Sequence, residues 1–260
     1  SENANPLGPS VKVQDALREC AGYINVYSDY KNIDINKDLS DFFKVSVDNV
    51  AIANGSLEAI YALPRFLDSS RATIIAPTYW GYAAGLDVLG RKYQKITLDK
   101  NLDYDLEKIN IVAKKSTMMF ICNPNNPTSS YIYKKDLYKI IKDNPNCHFI
   151  IDESHLLLHD NFFEETLSKD VEELKNLSIV YSLSKLFSVA GLRVGALISN
   201  KNVIQKYKNW QIPYSLNTMS QVIFPICLKD EEFVKNTRGN IHKMVKDLEK
   251  ELRKFDWLEV

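Results

Sequence analysis

Residues 179–198 read IVYSLSKLFSVAGLRVGALI and place a lysine between two apolar runs that are rich in β-branched residues. The runs, Ile179–Ser182 and Val194–Ile198, are short and almost wholly apolar, which is typical of strands buried on both faces of a sheet. The segment between them carries hydroxyls and two cations, Lys185 and Arg193. Two buried strands around a polar connection predict a ligand site at the edge of a parallel sheet.

Four further runs have the same apolar composition, and amphipathic patterns separate them. The predicted strands are Val50–Ala53, Ala72–Ala76, Thr117–Cys122 and Phe149–Asp152. The predicted helices are Ser56–Leu67, Trp80–Leu89, Lys134–Lys142, Val203–Trp210 and Glu231–Phe255. This alternation predicts an α/β fold, with a mostly parallel central sheet and helices on both faces.

The composition disfavours several classes of partner. The chain has 260 residues, and its 33 Lys and Arg balance its 33 Asp and Glu, so its charge gives no reason to expect nucleic acid or an anionic membrane as partner. We find no signal peptide and no apolar run near the ~20 residues that span a bilayer. Four scattered cysteines indicate buried, reduced thiols. We therefore expect a cytoplasmic protein.

Polar residues follow five of the predicted strands, at the point where each strand ends. They are Asn54-Gly55-Ser56, Pro77-Thr78-Tyr79, residues 123–128, Asp152–His155 and Ser182–Lys185. Because ligands of open α/β sheets bind at the carboxyl ends of the strands, we expect these residues to line one pocket.

Each polar residue has a structural reading beside a chemical one. Gly55 and Ser56 at a helix start offer a phosphate seat, or a plain N-cap. Lys185 can form a Schiff base with an aldehyde, or be a surface lysine. Arg193 can clamp a phosphate, or form a surface ion pair. Asp152 at a buried strand end needs a cationic or hydrogen-bonding partner, which a protonated pyridine or a structural salt bridge supplies equally well.

Two more residues have the same ambiguity. Asn126 lies between Pro124 and Pro127, where a turn alone explains the composition. Tyr79 could stack on a planar ring, although an aromatic residue after a strand is more often part of the core. Taken together, the residues fit a ring that bears a phosphate, an aldehyde, a phenolic oxygen and a basic nitrogen. That compound is pyridoxal 5′-phosphate.

Several motifs occur in an order that a known family shares. They are NANPLGPS (3–10), NGSLEAI (54–60), APTYWGY (76–82), NPNNPT (123–128), IDES (151–154) and SLSKLFSVAGLRVG (182–195). On these motifs the sequence resembles the fold-type I pyridoxal-phosphate enzymes of the class I/II aminotransferase family. The resemblance extends over essentially the whole chain.

The resemblance implies a role for each candidate residue. Lys185 binds the cofactor covalently, and Asp152 pairs with the pyridine nitrogen. Asn126 donates to the phenolate oxygen, and Tyr79 stacks on the ring. The phosphate is held by Gly55, Ser56, Ser182, Ser184 and Arg193.

Two further residues concern the contact between subunits and the phenolate oxygen of the cofactor. Tyr27 matches a tyrosine that reaches the phosphate of the neighbouring subunit's cofactor, which implies a homodimer. His155 stands where the family usually has tyrosine or phenylalanine, three residues after Asp152. In the family, a tyrosine at this position binds the phenolate oxygen of the cofactor. The resemblance therefore places His155 at a cofactor-binding position but leaves its role there open.

The resemblance narrows the reaction to two branches that act on small phosphorylated amines. IPYSLNTMS (212–220) resembles the threonine-phosphate decarboxylase branch, and Asn3 then matches a residue that contacts the substrate phosphate, with Asn126 also facing the substrate. We therefore favour a decarboxylase-like enzyme acting at Cα. The alternative is a histidinol-phosphate aminotransferase, which transfers the amino group to 2-oxoglutarate.

The resemblance also predicts the domain organisation. We expect an N-terminal segment (1–36), a cofactor-binding large domain (37–228), and a long helix that begins a truncated C-terminal small domain (229–260). The end of the chain, FDWLEV (255–260), is predicted to start a strand. The family's carboxylate-binding arginine comes from that small domain, and we expect it to lie outside this chain.

Three readings from other classes are weaker. DESH (152–155) fits a helicase box, but the phosphate loop GxxxxGK[ST] is missing from the sequence. His155 and His159 share a helix spacing that suits a metal, but HExxH is missing and the leucines between them indicate core. We expect no metal. A binding module derived from an enzyme is disfavoured because Lys185 and Asp152 are both retained.

Overall fold

Seven strands form one sheet in the computed structural model, which describes residues 3–255 and 257. In chain order the strands are β1 (Val50–Asn54), β2 (Ala72–Ala76), β3 (Tyr93–Thr97), β4 (Met118–Cys122), β5 (His148–Asp152), β6 (Leu177–Ser182) and β7 (Val194–Ser199). They lie side by side in the order β1-β7-β6-β5-β4-β2-β3. Only β7 runs antiparallel to its two neighbours, so the carboxyl ends of the other six strands share one edge.

Helices connect the strands and cover both faces of the sheet. They are α1 (Val11–Cys20), α2 (Ile33–Phe43), α3 (Ser56–Phe66), α4 (Gly81–Asp87), α5 (Leu106–Ala113), α6 (Lys134–Asp143), α7 (Phe162–Glu165), α8 (Leu183–Leu186), α9 (Lys201–Trp210), α10 (Thr218–Leu228) and α11 (Glu231–Leu252). The predicted fold class, a mostly parallel α/β sheet with helices on both faces, is confirmed.

Alternate side chains of each strand enter two separate cores. Ile151 and Ile179 belong to one buried cluster, and Ile150 and Val180 belong to the other, on the opposite face. Each of these four side chains is at most 1% exposed. Burial on both faces explains why these strands are continuous apolar runs instead of alternating sequences. It also sends consecutive residues at a strand end to opposite sides of the sheet.

The six predicted strands are present, with boundaries that differ by at most two residues. The strand β3 was not predicted; it pairs only with β2, and its exposed residues Gln94 and Lys95 lie between half-buried Tyr93 and Ile96. An edge strand of this kind has no apolar run to reveal it. The helices α1, α2, α5 and α10 and the four-residue helices α7 and α8 were not predicted either.

Two of the helices that were not predicted have an unusual residue or an unusual start. α10 contains Pro225, a residue that usually breaks helices, and α2 begins after Asn32, whose left-handed backbone (φ 54°) is an unusual start. The last predicted helix, 231–255, ends at Leu252. The predicted strand over FDWLEV lies largely outside the described residues.

The predicted domain boundaries stay predictions, as does the cytoplasmic location. Within the described residues, no helix has the length and apolarity that crossing a bilayer requires.

Candidate active site

Asp152 ends β5 with its carboxylate buried, 5% of the residue being exposed. Its Oδ2 accepts a hydrogen bond from the Tyr82 hydroxyl (2.9 Å), and its Oδ1 accepts one from the Ser154 backbone N–H (3.0 Å). Burial, followed by the Asp152 charge, raises the pKa of Tyr82, so the phenol keeps its proton and donates. No salt bridge in the described part of the chain includes Asp152.

Lys185 lies on α8, directly after the neighbouring strand β6. Its Nζ is 3.1 Å from Nε2 of His155, which follows β5. The two connections are joined because the Ser182 backbone N–H donates to the Ser154 hydroxyl (2.7 Å). The Ser182 and Ser184 hydroxyls are 3.1 Å apart beside the lysine. Side-by-side pairing of β5 and β6 therefore brings residues 152–155 and 182–185 together.

Two pKa shifts reveal that Asp152 and Lys185 act on the same groups. Burial and the Lys185 charge lower the pKa of His155 to about 4, against the opposite pull of Asp152. Burial and Asp152 raise the pKa of Cys122 to about 12, against a lowering by Lys185. At neutral pH His155 is therefore an uncharged imidazole, and Cys122 an uncharged thiol.

Gly55 and Arg193 form a second part of the site, at the start of α3. Gly55 has a left-handed backbone (φ 74°), and a Cβ built on it would lie 2.3 Å from Nη2 of Arg193. The guanidinium therefore covers the glycine. Ser56, the first residue of α3, presents its N–H at the positive end of an 11-residue helix. Arginine fork, hydroxyls and helix N-terminus together form a seat suited to a phosphate.

Gly195 on β7 supports this seat from below. A Cβ at Gly195 would lie 2.5 Å from the Ser56 nitrogen, 2.6 Å from the Gly55 carbonyl carbon and 2.9 Å from the Tyr181 oxygen. All three are backbone atoms and cannot rotate away. Glycine is therefore required here because β7 passes so close beneath the start of α3.

Glu58, which was not among the predicted site residues, holds the same turn from the other side. Its Oε2 accepts from the Asn54 N–H (2.8 Å), the Tyr207 hydroxyl (2.6 Å) and the Gln211 amide (3.0 Å). The sequence places Glu58 near the start of a predicted helix. Its two partners, Tyr207 on α9 and Gln211 after α9, lie 149 and 153 residues further along the chain, so no local pattern indicated them.

The other predicted site residues fall into two groups. Tyr79 is half-buried and packs edge-on against Tyr82, with 5.6 Å between ring centroids, and Asn126 is half-buried in the loop after β4. Asn3 and Tyr27 are exposed. The structure thus brings Tyr79 to the Asp152 side of the sheet edge, whereas Asn3 and Tyr27 remain on the surface.

Asn5, two residues beyond the predicted Asn3, is a buried residue of the N-terminal segment. Its amide donates to the Leu186 carbonyl (3.1 Å) and to the Thr237 hydroxyl (3.3 Å). Its own carbonyl accepts from the Ser188 hydroxyl (3.0 Å). The segment is thereby fastened to the turn that carries Lys185.

Glu153 is a second buried acid, on the opposite face from Asp152. It is 1% exposed and accepts hydrogen bonds from Thr166 (2.6 Å), the Leu167 N–H (3.1 Å) and the Tyr181 hydroxyl (2.5 Å). Burial raises its pKa to about 7 in spite of these donors. It anchors the end of β5 in the core that Asp152 does not reach.

The arrangement fits pyridoxal phosphate. A buried carboxylate without a cation suits a protonated ring nitrogen, because burial of an uncompensated charge is costly. The Gly55–Arg193 seat suits the phosphate, and Lys185 supplies an amine for the aldehyde. The metal reading lacks such support: within the described residues no group of three His, Cys, Asp or Glu is arranged to hold an ion, and His159 is exposed while His155 faces Lys185.

Comparison with known proteins agrees with this chemistry. The family model described as "Aminotransferase class I and II" matches residues 1–259. The chain belongs to this family. Members of the family are enzymes that use pyridoxal phosphate and act on amino acids, so the predicted family and cofactor are confirmed at that level.

Individual relatives carry narrower names. The histidinol-phosphate aminotransferase of Clostridium novyi (strain NT) is 32% identical over 240 residues, which cover 91% of this chain and 66% of the relative. The crystal structure of the histidinol-phosphate aminotransferase from Clostridium acetobutylicum superposes with a TM-score of 0.91 at 26% identity, covering all of this chain and 78% of the other. The chain therefore spans about two thirds of the length of the Clostridium novyi relative.

The decarboxylase branch is represented more weakly. L-threonine-O-3-phosphate decarboxylase from Porphyromonas gingivalis superposes with a TM-score of 0.79 at 20% identity, covering 90% of this chain and 73% of the other. That likeness concerns the fold alone. The comparisons thus favour the alternative reading of the sequence over the decarboxylase-like one, for which IPYSLNTMS was too short a signal.

We predict that Gly195→Ala disrupts the phosphate seat. The new methyl group meets three backbone atoms, so we expect a loss of about 3 kcal/mol in the free energy of unfolding and at least tenfold weaker binding of pyridoxal phosphate. Urea unfolding and calorimetric titration measure the two effects. The control is Gly191→Ala, where nothing lies within 4 Å of the added atom. Equal behaviour of the two variants would contradict the close approach.

We predict that Glu153→Gln flattens the pH dependence of stability. The folded pKa of Glu153 is about 7, above the ordinary 4.5, so its contribution is complete below pH 4.5 and is lost as pH rises through 7. Between about pH 5 and pH 8 the variant should lose about 2 kcal/mol less than the wild type in urea unfolding. Exposed Glu164→Gln should follow the wild type. A parallel pair of profiles for Glu153→Gln and wild type would refute the assignment.

Proposed function

We propose that the chain is the cofactor-binding part of a pyridoxal-phosphate transaminase of the histidinol-phosphate type. The observation that carries the proposal is the meeting of three groups at one sheet edge. These are the buried Asp152 carboxylate, the Lys185 amine and the seat formed by Gly55 and Arg193. A phosphorylated aldehyde with a basic ring nitrogen needs all three.

Each part of the cofactor has a counterpart in this chain. Lys185 would hold the aldehyde end, and Asp152 would keep the ring nitrogen protonated. Tyr79 would lie against the ring, and Asn126 would donate to its phenolic oxygen. The phosphate would be held by Gly55, Ser56, Ser182, Ser184 and Arg193. When bound, pyridoxal phosphate supplies a sink for the electron pair that is released at the substrate Cα.

The chain's own residues orient the reactants and move protons. Tyr82 and the Ser154 N–H each donate to one oxygen of Asp152, which holds that carboxylate in a fixed direction. Lys185 Nζ is the amine available to accept the proton that leaves the substrate Cα. The Ser154–Ser182 hydrogen bond fixes the distance between the two connections that carry these groups.

The names of the relatives support transamination over decarboxylation. The relatives described above that reach at least 25% identity are histidinol-phosphate aminotransferases. The substrate that we propose is therefore a small phosphorylated amine, and the amino acceptor is 2-oxoglutarate. Asn3 and Asn126 remain the candidate substrate contacts.

Borohydride trapping tests the cofactor assignment. Reduction of the protein with pyridoxal phosphate should fix the cofactor on the peptide that contains Lys185, as read by mass spectrometry. Lys185→Ala should abolish this label and lower turnover at least about a thousandfold. The control is Lys175→Ala, an exposed lysine before β6 that should label normally. Glutamate formed from histidinol phosphate and 2-oxoglutarate supports the reaction, whereas CO₂ released from threonine phosphate without glutamate would refute it.

We further propose that two copies of the chain associate through an aromatic patch, defined as Tyr27, Tyr30, Ile212 and Tyr214. Tyr27 is 84% exposed and Ile212 is 70% exposed. The centroids of the Tyr27 and Tyr30 rings lie 5.1 and 5.8 Å from that of Tyr214, so the three rings form one cluster. Exposed aromatic clusters of this kind are typical of protein interfaces. Across such an interface Tyr27 would reach the cofactor phosphate of the other copy.

A charge in the aromatic patch should separate the two copies. Tyr214→Glu places a carboxylate among three apolar side chains, so we expect at least a tenfold increase in the dissociation constant of the dimer. Sedimentation velocity over a dilution series measures it. Tyr133→Glu, at an exposed tyrosine before α6, is the control and should sediment as the wild type does. A wild-type monomer at all concentrations would exclude the proposal.

A further inference from the structure

His155 and Lys185 form a half-buried hydrogen-bonded pair. Nε2 of the imidazole lies 3.1 Å from Nζ of the amine. The ring belongs to the turn after β5, and the next two residues, Leu156 and Leu157, are fully buried. These two leucines anchor the turn in the core. The imidazole is therefore presented to the lysine by a rigid segment.

The direction of the hydrogen bond follows from the charges. A lysine ammonium has only donors, so Nε2 must accept and Nδ1 must carry the imidazole proton. Burial and the Lys185 charge lower the pKa of His155 to about 4, so the imidazole is uncharged at neutral pH and free to accept. The charged groups that face it are Lys185 and Asp152, and the lowering by Lys185 outweighs the raising by Asp152.

We propose that His155 is a positioning residue, which holds Nζ of Lys185 in the position from which it captures the aldehyde. This inference rests on the proposed function, in which Lys185 is the aldehyde-binding amine. In the capture, nitrogen and the aldehyde carbon form a double bond, the aldehyde oxygen leaves as water with two of the ammonium hydrogens, and one proton stays on nitrogen. His155 takes no proton in the net reaction. Its part is to restrict the rotation of a long side chain.

The need for such a partner comes from the lysine side chain itself. Four methylene groups give Lys185 many rotamers, and a fixed acceptor removes much of this freedom before the reaction. A phenyl ring at this position offers no acceptor, whereas a glutamine offers a carbonyl oxygen of similar reach. The two substitutions therefore separate hydrogen bonding from simple packing.

Rates of aldehyde capture test the role. Pyridoxal phosphate is added to cofactor-free protein, samples are reduced with borohydride at intervals, and the label on the Lys185 peptide is counted. We expect His155→Phe to slow capture about tenfold and His155→Gln to stay within about threefold of the wild type. His159→Phe is the matched control, because His159 is exposed and only its Nδ1 is used, as acceptor for the Asn161 N–H.

The outcomes distinguish the two proposals. Capture by His155→Phe at the wild-type rate, or equal slowing in His155→Gln and His155→Phe, overturns the role of His155 and leaves the proposed function intact. Absence of label at Lys185 in the wild type overturns both. If His155→Phe does not fold, ¹⁵N NMR of the cofactor-free wild type decides. We expect an unprotonated Nε2 at neutral pH whose resonance moves in Lys185→Met, and a protonated Nε2 would overturn the role.

Discussion

A buried negative charge at the end of β5 determines the character of the whole site. Asp152 is 5% exposed, and no cation of the described chain pairs with it; two neutral donors, the Tyr82 hydroxyl and the Ser154 N–H, hold its oxygens. Neutral donors orient a carboxylate but leave its charge uncompensated. Asp152 can therefore still attract a cation to the edge of the sheet where the parallel strands end.

Asp152 and Glu153 are adjacent in the sequence, but they face opposite sides of the sheet. One faces the candidate active site and the other has a structural role in the core. Asp152 turns to the face that carries Tyr82, while Glu153 turns to the core around Tyr181 and Thr166. The second acid fastens the strand end so that the first keeps its direction. Because side chains alternate along a strand, a shift of one residue would exchange the two environments.

The sequence was sufficient for the parts of the molecule that depend on local pattern. The apolar runs located six of the seven strands, and the polar residues after them located Asp152, Lys185 and the Gly55 turn. It was insufficient where contacts between distant parts of the chain determine the structure. No local sequence pattern indicates that Glu58 contacts Tyr207, or that Gly195 lies against Ser56. The edge strand β3 escaped for a different reason, since it buries too little surface to need an apolar sequence.

Asn5 has a consequence for the biosynthesis of the protein. Its partners are the Leu186 carbonyl, 181 residues further along the chain, and Thr237, 232 residues further along. On the ribosome, Asn5 therefore emerges long before these partners and cannot make both hydrogen bonds until Thr237 has been translated. The turn that carries Lys185 is thus covered by a residue that is made long before the turn itself.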